Sequence, residues 1–143
     1  MIYLDSNVFI IAALYTDDVG EKARELIKAI EEGEVKAATS ALTYDEVYWA
    51  VKKLKDKNAA HKAGGGLLML PNIHILEVDR NVLFTAHKLL SDYSLDPRDA
   101  IHAACAISKK ISDIVSQDGD FDRIKGLKRT QLADFKLTKV GIE

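Results

Sequence analysis

Four carboxylates stand at positions where an acid needs a reason. Asp5 directly ends the apolar run Ile2-Tyr3-Leu4, although aspartate disfavours strands. Asp118 lies just past the strand-like stretch Ile111 to Ser116, in an Asp118-Gly119 turn. Asp99 falls in the first turn of a helix opened by Asp96-Pro97, and Ala100 to Ile107 behind it are almost wholly apolar. Glu46 sits one turn into another helix, beside Val47, at the edge of its buried face. Each acid has an ordinary explanation: a first-turn carboxylate gains about 0.3–1 kcal/mol from the helix dipole, and turns and solvated helices accept acids freely. A charge at the mouth of a buried helix, however, requires a partner. If the four converged, each pair about 5 Å apart would repel by roughly 3 kcal/mol at an effective dielectric of about 20. Convergence therefore calls for a hard divalent cation, and an all-oxygen donor set suits Mg²⁺ or Mn²⁺. A cation held there can polarise a phosphodiester, acidify a bound water and orient its attack, leaving 5′-phosphate and 3′-hydroxyl ends.

The elements that must position these acids alternate in period. Ile2–Leu4 reads as a short buried strand, followed by cap-type Ser6 and Asn7 and a helix from Val8 to Leu14. Val19, Ala23, Leu26, Ile27 and Ile30 share one face of a helix over about 18–32 that Gly33 can end. A strand at Val35–Thr39 leads into a helix over about Leu42–Lys55. The next helix, near Ala59–Leu70, is expected to be interrupted by Gly64-Gly65-Gly66 and stopped by Pro71. Ile73–Val78 is strand-like, Asp79 caps a helix carrying Val82, Ala86, Leu89, Leu90 and Tyr93, and Asp96-Pro97 sets the N-cap and first position of the last helix. Ile111–Ser116 is the fourth strand; the Lys- and Arg-rich remainder has no clear pattern. Strands alternating with helices give a parallel sheet covered on both faces. Ligands of such sheets bind at the carboxyl ends of the strands near a topological switch point. If the first and fourth strands are neighbours, Asp5 and Asp118 point into one crevice.

Composition narrows the class. A chain of 143 residues, 48% hydrophobic and 29% charged, is expected to form one domain over residues 1–143. The lone Cys105 excludes an internal disulfide and a thiolate zinc site, and His61, His74, His87 and His102 lack ligand spacing. No apolar run reaches the length of a membrane span, and MIYLDSNVF lacks a basic leader, so a cytoplasmic location is expected. A formal net charge of −2 argues against simple electrostatic coating of nucleic acid, but not against an enzyme that meets phosphate through a cation.

Four segments carry a family likeness: Ile2 to Ile10 around Asp5; Ser40 with Glu46 six residues on; Leu95-Asp96-Pro97-Arg98-Asp99-Ala100-Ile101-His102-Ala103-Ala104; and Ile114-Val115-Ser116-Gln117-Asp118-Gly119-Asp120-Phe121-Asp122. Singly these are weak signals, but in this order and spacing the chain resembles the PIN-domain family, especially its prokaryotic toxin ribonucleases. The resemblance implies a three-layer α/β/α sandwich with a short central parallel sheet of strand order 3-2-1-4-5. It implies a metal-binding quartet of Asp5, Glu46, Asp99 and Asp118, with Asn7 and Ser116 as accessory polar residues and Asp120 and Asp122 as further candidates. It also implies an RNA substrate, a small antitoxin partner and a homodimer. A related RNA-processing nuclease, or a non-catalytic scaffold of the same fold, is the alternative.

The remaining charged and aromatic residues have assignable roles. Arg98, Arg123 and Lys125, with Lys128 and Arg129, lie near the third and fourth segments and are candidates for phosphate contacts. Lys52, Lys53, Lys55 and Lys57 read as a solvated helix face, and Tyr44, Tyr48 and Trp49 as core or partner contacts. His102, one turn from Asp99, is expected to be structural rather than a base. A calcium loop starting at Asp118 fails, because Arg123 replaces the required glycine and Arg129 the closing glutamate. A phosphatase with paired nucleophilic acids fails too, since Asp5-Ser6-Asn7 lacks the second acid.

Overall fold

The computed structural model describes residues 1–137. Five parallel strands form one sheet: β1 (Ile2–Leu4), β2 (Ala37–Ser40), β3 (Ile73–Leu76), β4 (Asp113–Val115) and β5 (Lys128–Thr130), in the order β3-β2-β1-β4-β5. This is the expected order, and it puts the switch point between β1 and β4. Six helices cover it: α1 (Ser6–Leu14), α2 (Asp18–Glu31), α3 (Ala41–Leu54), α4 (Lys57–Met69), α5 (Arg80–Asp92) and α6 (Pro97–Ser108). No helix among the described residues is long and apolar enough to cross a membrane.

Period-two alternation on the strands divides the interior into two cores. Leu4, Ala37 and Val115 face one layer with Val8, Leu26, Ile30, Val47 and Val51 from α1, α2 and α3. Their neighbours Tyr3, Ala38 and Ile114 face the other, with Leu89 from α5 and Ala100, Ala103 and Ala104 from α6. The alanines of α6 let that helix lie close to the sheet, which brings its first turn to the strand ends.

Several boundaries differ from those expected, each for a physical reason. The fourth strand starts at Asp113 because Lys110 takes φ 58° and Ile111 N–H returns to the Ala106 carbonyl at 2.9 Å, closing α6 in a Schellman turn. Gly33 closes α2 in the same way at φ 78°, as its position after the apolar face suggested. The triple glycine does not interrupt its helix: α4 runs unbroken from Lys57 to Met69. A Cβ on Gly64 would stand 3.0 Å from the Tyr44 ring and 3.2 Å from Tyr48, so this glycine permits the close approach of α3 and α4. The helix tolerates about 1 kcal/mol of lost propensity per glycine because tertiary packing holds it. β3 ends at Leu76, two residues early, as the chain turns toward the Asp79 cap of α5.

Candidate metal centre

Asp5 opens the site at the carboxyl end of β1. Rather than Ser6 or Asn7, Asp5 itself is the N-cap of α1, its Oδ1 accepting from Ser6 N–H at 2.7 Å. Its Oδ2 accepts from Ser116 Oγ at 2.6 Å and from Asn7 Nδ2 at 3.1 Å. Ser116, just past β4, is a hub: its Oγ also receives Asn7 Nδ2 at 3.3 Å and Asp118 N–H at 3.0 Å. The β1 and β4 ends are thus tied through one carboxylate and one hydroxyl. With Asp5 only 4% exposed, burial raises its pKa, while the His102 ring and the Ser116 hydroxyl oppose that rise.

The second group is more open. Asp99 is the third residue of α6, after the Asp96 cap and Pro97, whose geometry fixes where the helix begins. Asp118 caps a short 3-10 helix, Gly119–Arg123, and accepts from Asp120 N–H at 2.9 Å. Carboxylate oxygens of Asp99, Asp118 and Asp120 all lie within 4.8 Å of one another. Asp99 is pushed up to about 8, first by burial and then by the hydrogen bond and charge of Asp118, with Asp5 and Asp96 adding to it. Acids this close cost roughly 3 kcal/mol per ionised pair unless a cation or a proton intervenes. The donor set is all oxygen, which fits a hard divalent cation; Asp99, Asp118 and Asp120 would hold it, with Asp5 adjoining.

Glu46 stands outside that trio. Its Oε1 lies 2.5 Å from Nε2 of His102, which is also 3.5 Å from Asp5 Oδ1. Nδ1 of His102 meets the Tyr3 hydroxyl at 2.7 Å. Burial holds the Tyr3 phenol well above its usual pKa, so it keeps its proton. The Glu46 carboxylate can only accept, which calls for a proton on Nε2, and in the neutral ring Nδ1 then accepts from the Tyr3 hydroxyl. Nε2 faces both Glu46 and Asp5. His102 is fully buried and engaged at both nitrogens. Sequence reasoning missed this link between two acids; the available signal was the placement of His102 three residues after Asp99 on a buried helix.

The other candidates separate clearly. Asp122 is exposed and paired bidentately with Arg129, at 2.9 and 3.0 Å, which lowers its pKa, and it is not one of the converging carboxylates. Arg129 also donates to the Ser116 carbonyl at 3.1 Å, so it clamps β5 to the site and is not a free phosphate contact. Arg123 donates to the Ser94 carbonyl at 2.9 Å and lies 3.5 Å from Asp120, while Arg98 and Lys125 are exposed beside the third and fourth segments.

The fold and this arrangement define an α/β domain with carboxylates gathered where its first and fourth strands part. A family model of the PIN domain matches residues 2–127, and the chain belongs to that family. No curated protein matches it by sequence. Among solved structures it is similar to Mycobacterium tuberculosis VapC20, described as a Sarcin-Ricin loop cleaving toxin. Identity there is 18%, over 85% of this chain and 93% of that one, with a TM-score of 0.72. VapBC2 from Rickettsia felis, bound to a promoter DNA fragment, shares 19% identity over 92% and 98% of the two chains at a TM-score of 0.71. FitAcB from Neisseria gonorrhoeae shares 20% over 94% and 100%, also at 0.71. At these identities the likeness establishes the fold.

Proposed function

We propose that the chain is a divalent-metal-dependent endoribonuclease and the toxin of a toxin–antitoxin pair. The observation that carries this reading is the convergence of Asp99, Asp118 and Asp120 beside Asp5 at the switch point. Asp5, Glu46, Asp99 and Asp118 form the acidic quartet, with Asp120 joining the open side and Mg²⁺ or Mn²⁺ as the cation. When bound, the cation polarises the phosphodiester and acidifies its attacking water. Ser116 and Asn7 orient the Asp5 carboxylate, and His102 holds Glu46 in its place. Arg98 and Lys125, exposed beside the third and fourth segments, and Arg123, beside Asp120, are the phosphate contacts of this reading.

A cytoplasmic homodimer, held silent by a small antitoxin, completes the proposal. Support comes from the similar structures, several of which are toxin–antitoxin complexes. The chain also carries a pocket lined by Phe9, Ala12, Ile27, Leu67 and Leu70 with Arg24 and Glu31 on its wall, the mixed apolar and charged lining that an amphipathic partner helix would use.

Purified chain incubated with mixed RNA in Mg²⁺, Mn²⁺ or EDTA tests the activity, with Asp99→Asn alongside. Cleavage that needs metal and disappears in the variant is the expected result. Equal cleavage by Asp99→Asn, or cleavage undiminished in EDTA, would overturn the assignment.

A further inference from the structure

We propose that the outward stripe of α3 is a track for single-stranded RNA leading away from the acidic site, with Trp49 as its base-stacking platform and Lys53 as a phosphate contact. The inference rests on the nuclease reading above and names where its substrate lies.

Trp49 breaks the pattern of its helix. Tyr44 and Tyr48 pack toward the core and over Gly64, whereas Trp49 is 62% exposed. Its ring is therefore open to a stacking partner, with Leu54 of the same helix exposed beyond it. Its position is specific. Glu46, Trp49 and Lys53 follow at spacings of three and four, so they share one stripe of α3. Glu46 lies at the site through His102, and the stripe therefore starts at the acids and runs outward for about 10 Å along the axis. Lys53 Nζ sits 4.8 Å from the Trp49 ring centroid, an arrangement that steadies the ring while keeping a cation beside it.

Charge decides the occupant. Residues 47–70 carry Lys52, Lys53, Lys55, Lys57 and Lys62 against the single acid Asp56, in a chain whose acids otherwise outnumber its bases. An exposed π-face among lysines suits a ligand that is both polyanionic and aromatic. Single-stranded nucleic acid has both properties, and its bases are free to stack. Duplex RNA hides its π-faces and meets proteins through shape and backbone instead.

Trp49 is the only tryptophan in the chain, so its emission reports this position alone. The test titrates the protein in EDTA, where RNA stays intact, with a short oligoadenylate and separately with duplex RNA. Labelled-RNA anisotropy measures affinity in parallel. Quenching of Trp49 by the single strand and not by the duplex is expected. Trp49→Ala should weaken single-strand affinity about 5- to 100-fold with Trp49→Phe close to wild type. Lys53→Met should reduce the slope of log affinity against log salt by about 0.7.

RNA binding with unchanged Trp49 emission and full affinity of Trp49→Ala would overturn the track, as would no binding at all. Conversion of a dimer to a monomer by Trp49→Ala, with RNA affinity intact, would assign the residue to self-association and overturn it equally. The nuclease reading fails separately: quenching that persists in a chain which cleaves no RNA in any metal sinks the catalytic assignment and leaves the binding track standing.

Discussion

Around Asp5 every carboxylate oxygen is already answered by the protein, whereas around Asp99 the carboxylates face one another. Asp5 accepts from a backbone N–H, a serine hydroxyl and an asparagine amide, and His102 lies between it and Glu46. Asp99, Asp118 and Asp120 converge, and among the described residues the cation paired with this trio is the exposed Arg123, 3.5 Å from Asp120. One half of the site is a piece of protein architecture. The other is an electrostatic problem that a cation solves. Substitutions in the two halves should therefore fail differently.

The largest contrast is between Asp118→Asn and Asp5→Ala. Asparagine at 118 can still accept the Asp120 N–H, so the fold should survive with its thermal midpoint nearly unchanged. Cleavage should drop by more than about 100-fold, the upper end for groups that only orient a metal ligand. Asp5→Ala should also abolish cleavage, but at a cost in stability. It removes an N-cap worth about 1 kcal/mol and leaves the buried Ser116 hydroxyl without its acceptor at about 1–3 kcal/mol. Together that is about 2–4 kcal/mol, readable by urea denaturation. A stable Asp5→Ala or an unfolded Asp118→Asn would reverse the division drawn here.

Proton linkage sharpens the same contrast at a smaller scale. Asp99 moves from 3.8 to about 8 in the folded chain. Between those values the folded state keeps a proton that the unfolded state has released. The metal-free protein should therefore lose stability as pH rises from about 4 to about 8. Mn²⁺ should restore it by binding the folded state, by about 2.7 kcal/mol at a hundredfold excess over its dissociation constant. Asp99→Asn should flatten the pH slope and shrink the Mn²⁺ gain. Calorimetry across that range reads both, and a slope unchanged in the variant would place the titration elsewhere.

What could be read from the chain follows the same line. Asp5, Asp99 and Asp118 stood out because an acid against an apolar run contradicts its local surroundings, and such contradictions survive in one dimension. Helix ends such as Gly33 and Asp96-Pro97 were legible because caps act over a few residues. β5 was not: Lys128-Arg129-Thr130 has no apolar pattern and becomes a strand only because β4 offers an edge and Arg129 reaches Asp122 and the Ser116 carbonyl. The separation of Asp120 from Asp122 was equally hidden, since two residues apart in a 3-10 helix, at three residues per turn, side chains leave in different directions. Gly64-Gly65-Gly66 read as a break because propensity is local, while the tyrosines that make it a packing site come from another helix.

The smallest expected effect tests the link that sequence did not show. Tyr3→Phe removes one oxygen and leaves the ring packed in the core. His102 Nδ1 then loses its donor, so one of the contacts that favour the ring proton on Nε2 is gone while the Glu46 and Asp5 carboxylates remain. The tautomer with Nε2 bare would turn a lone pair toward Glu46 and Asp5, which repel it. The variant should thus lose about 1–2 kcal/mol, the cost of one buried unsatisfied group. Cleavage should fall by less than in Asp118→Asn, with kcat affected and KM kept, because the Glu46 anchor is weakened while substrate contacts remain. Imidazole ¹⁵N shifts in the metal-free protein report the tautomer directly. A wild-type spectrum with the proton on Nδ1, or a Tyr3→Phe spectrum identical to wild type, would show that the phenol does not set the ring and that Glu46 is held by something else.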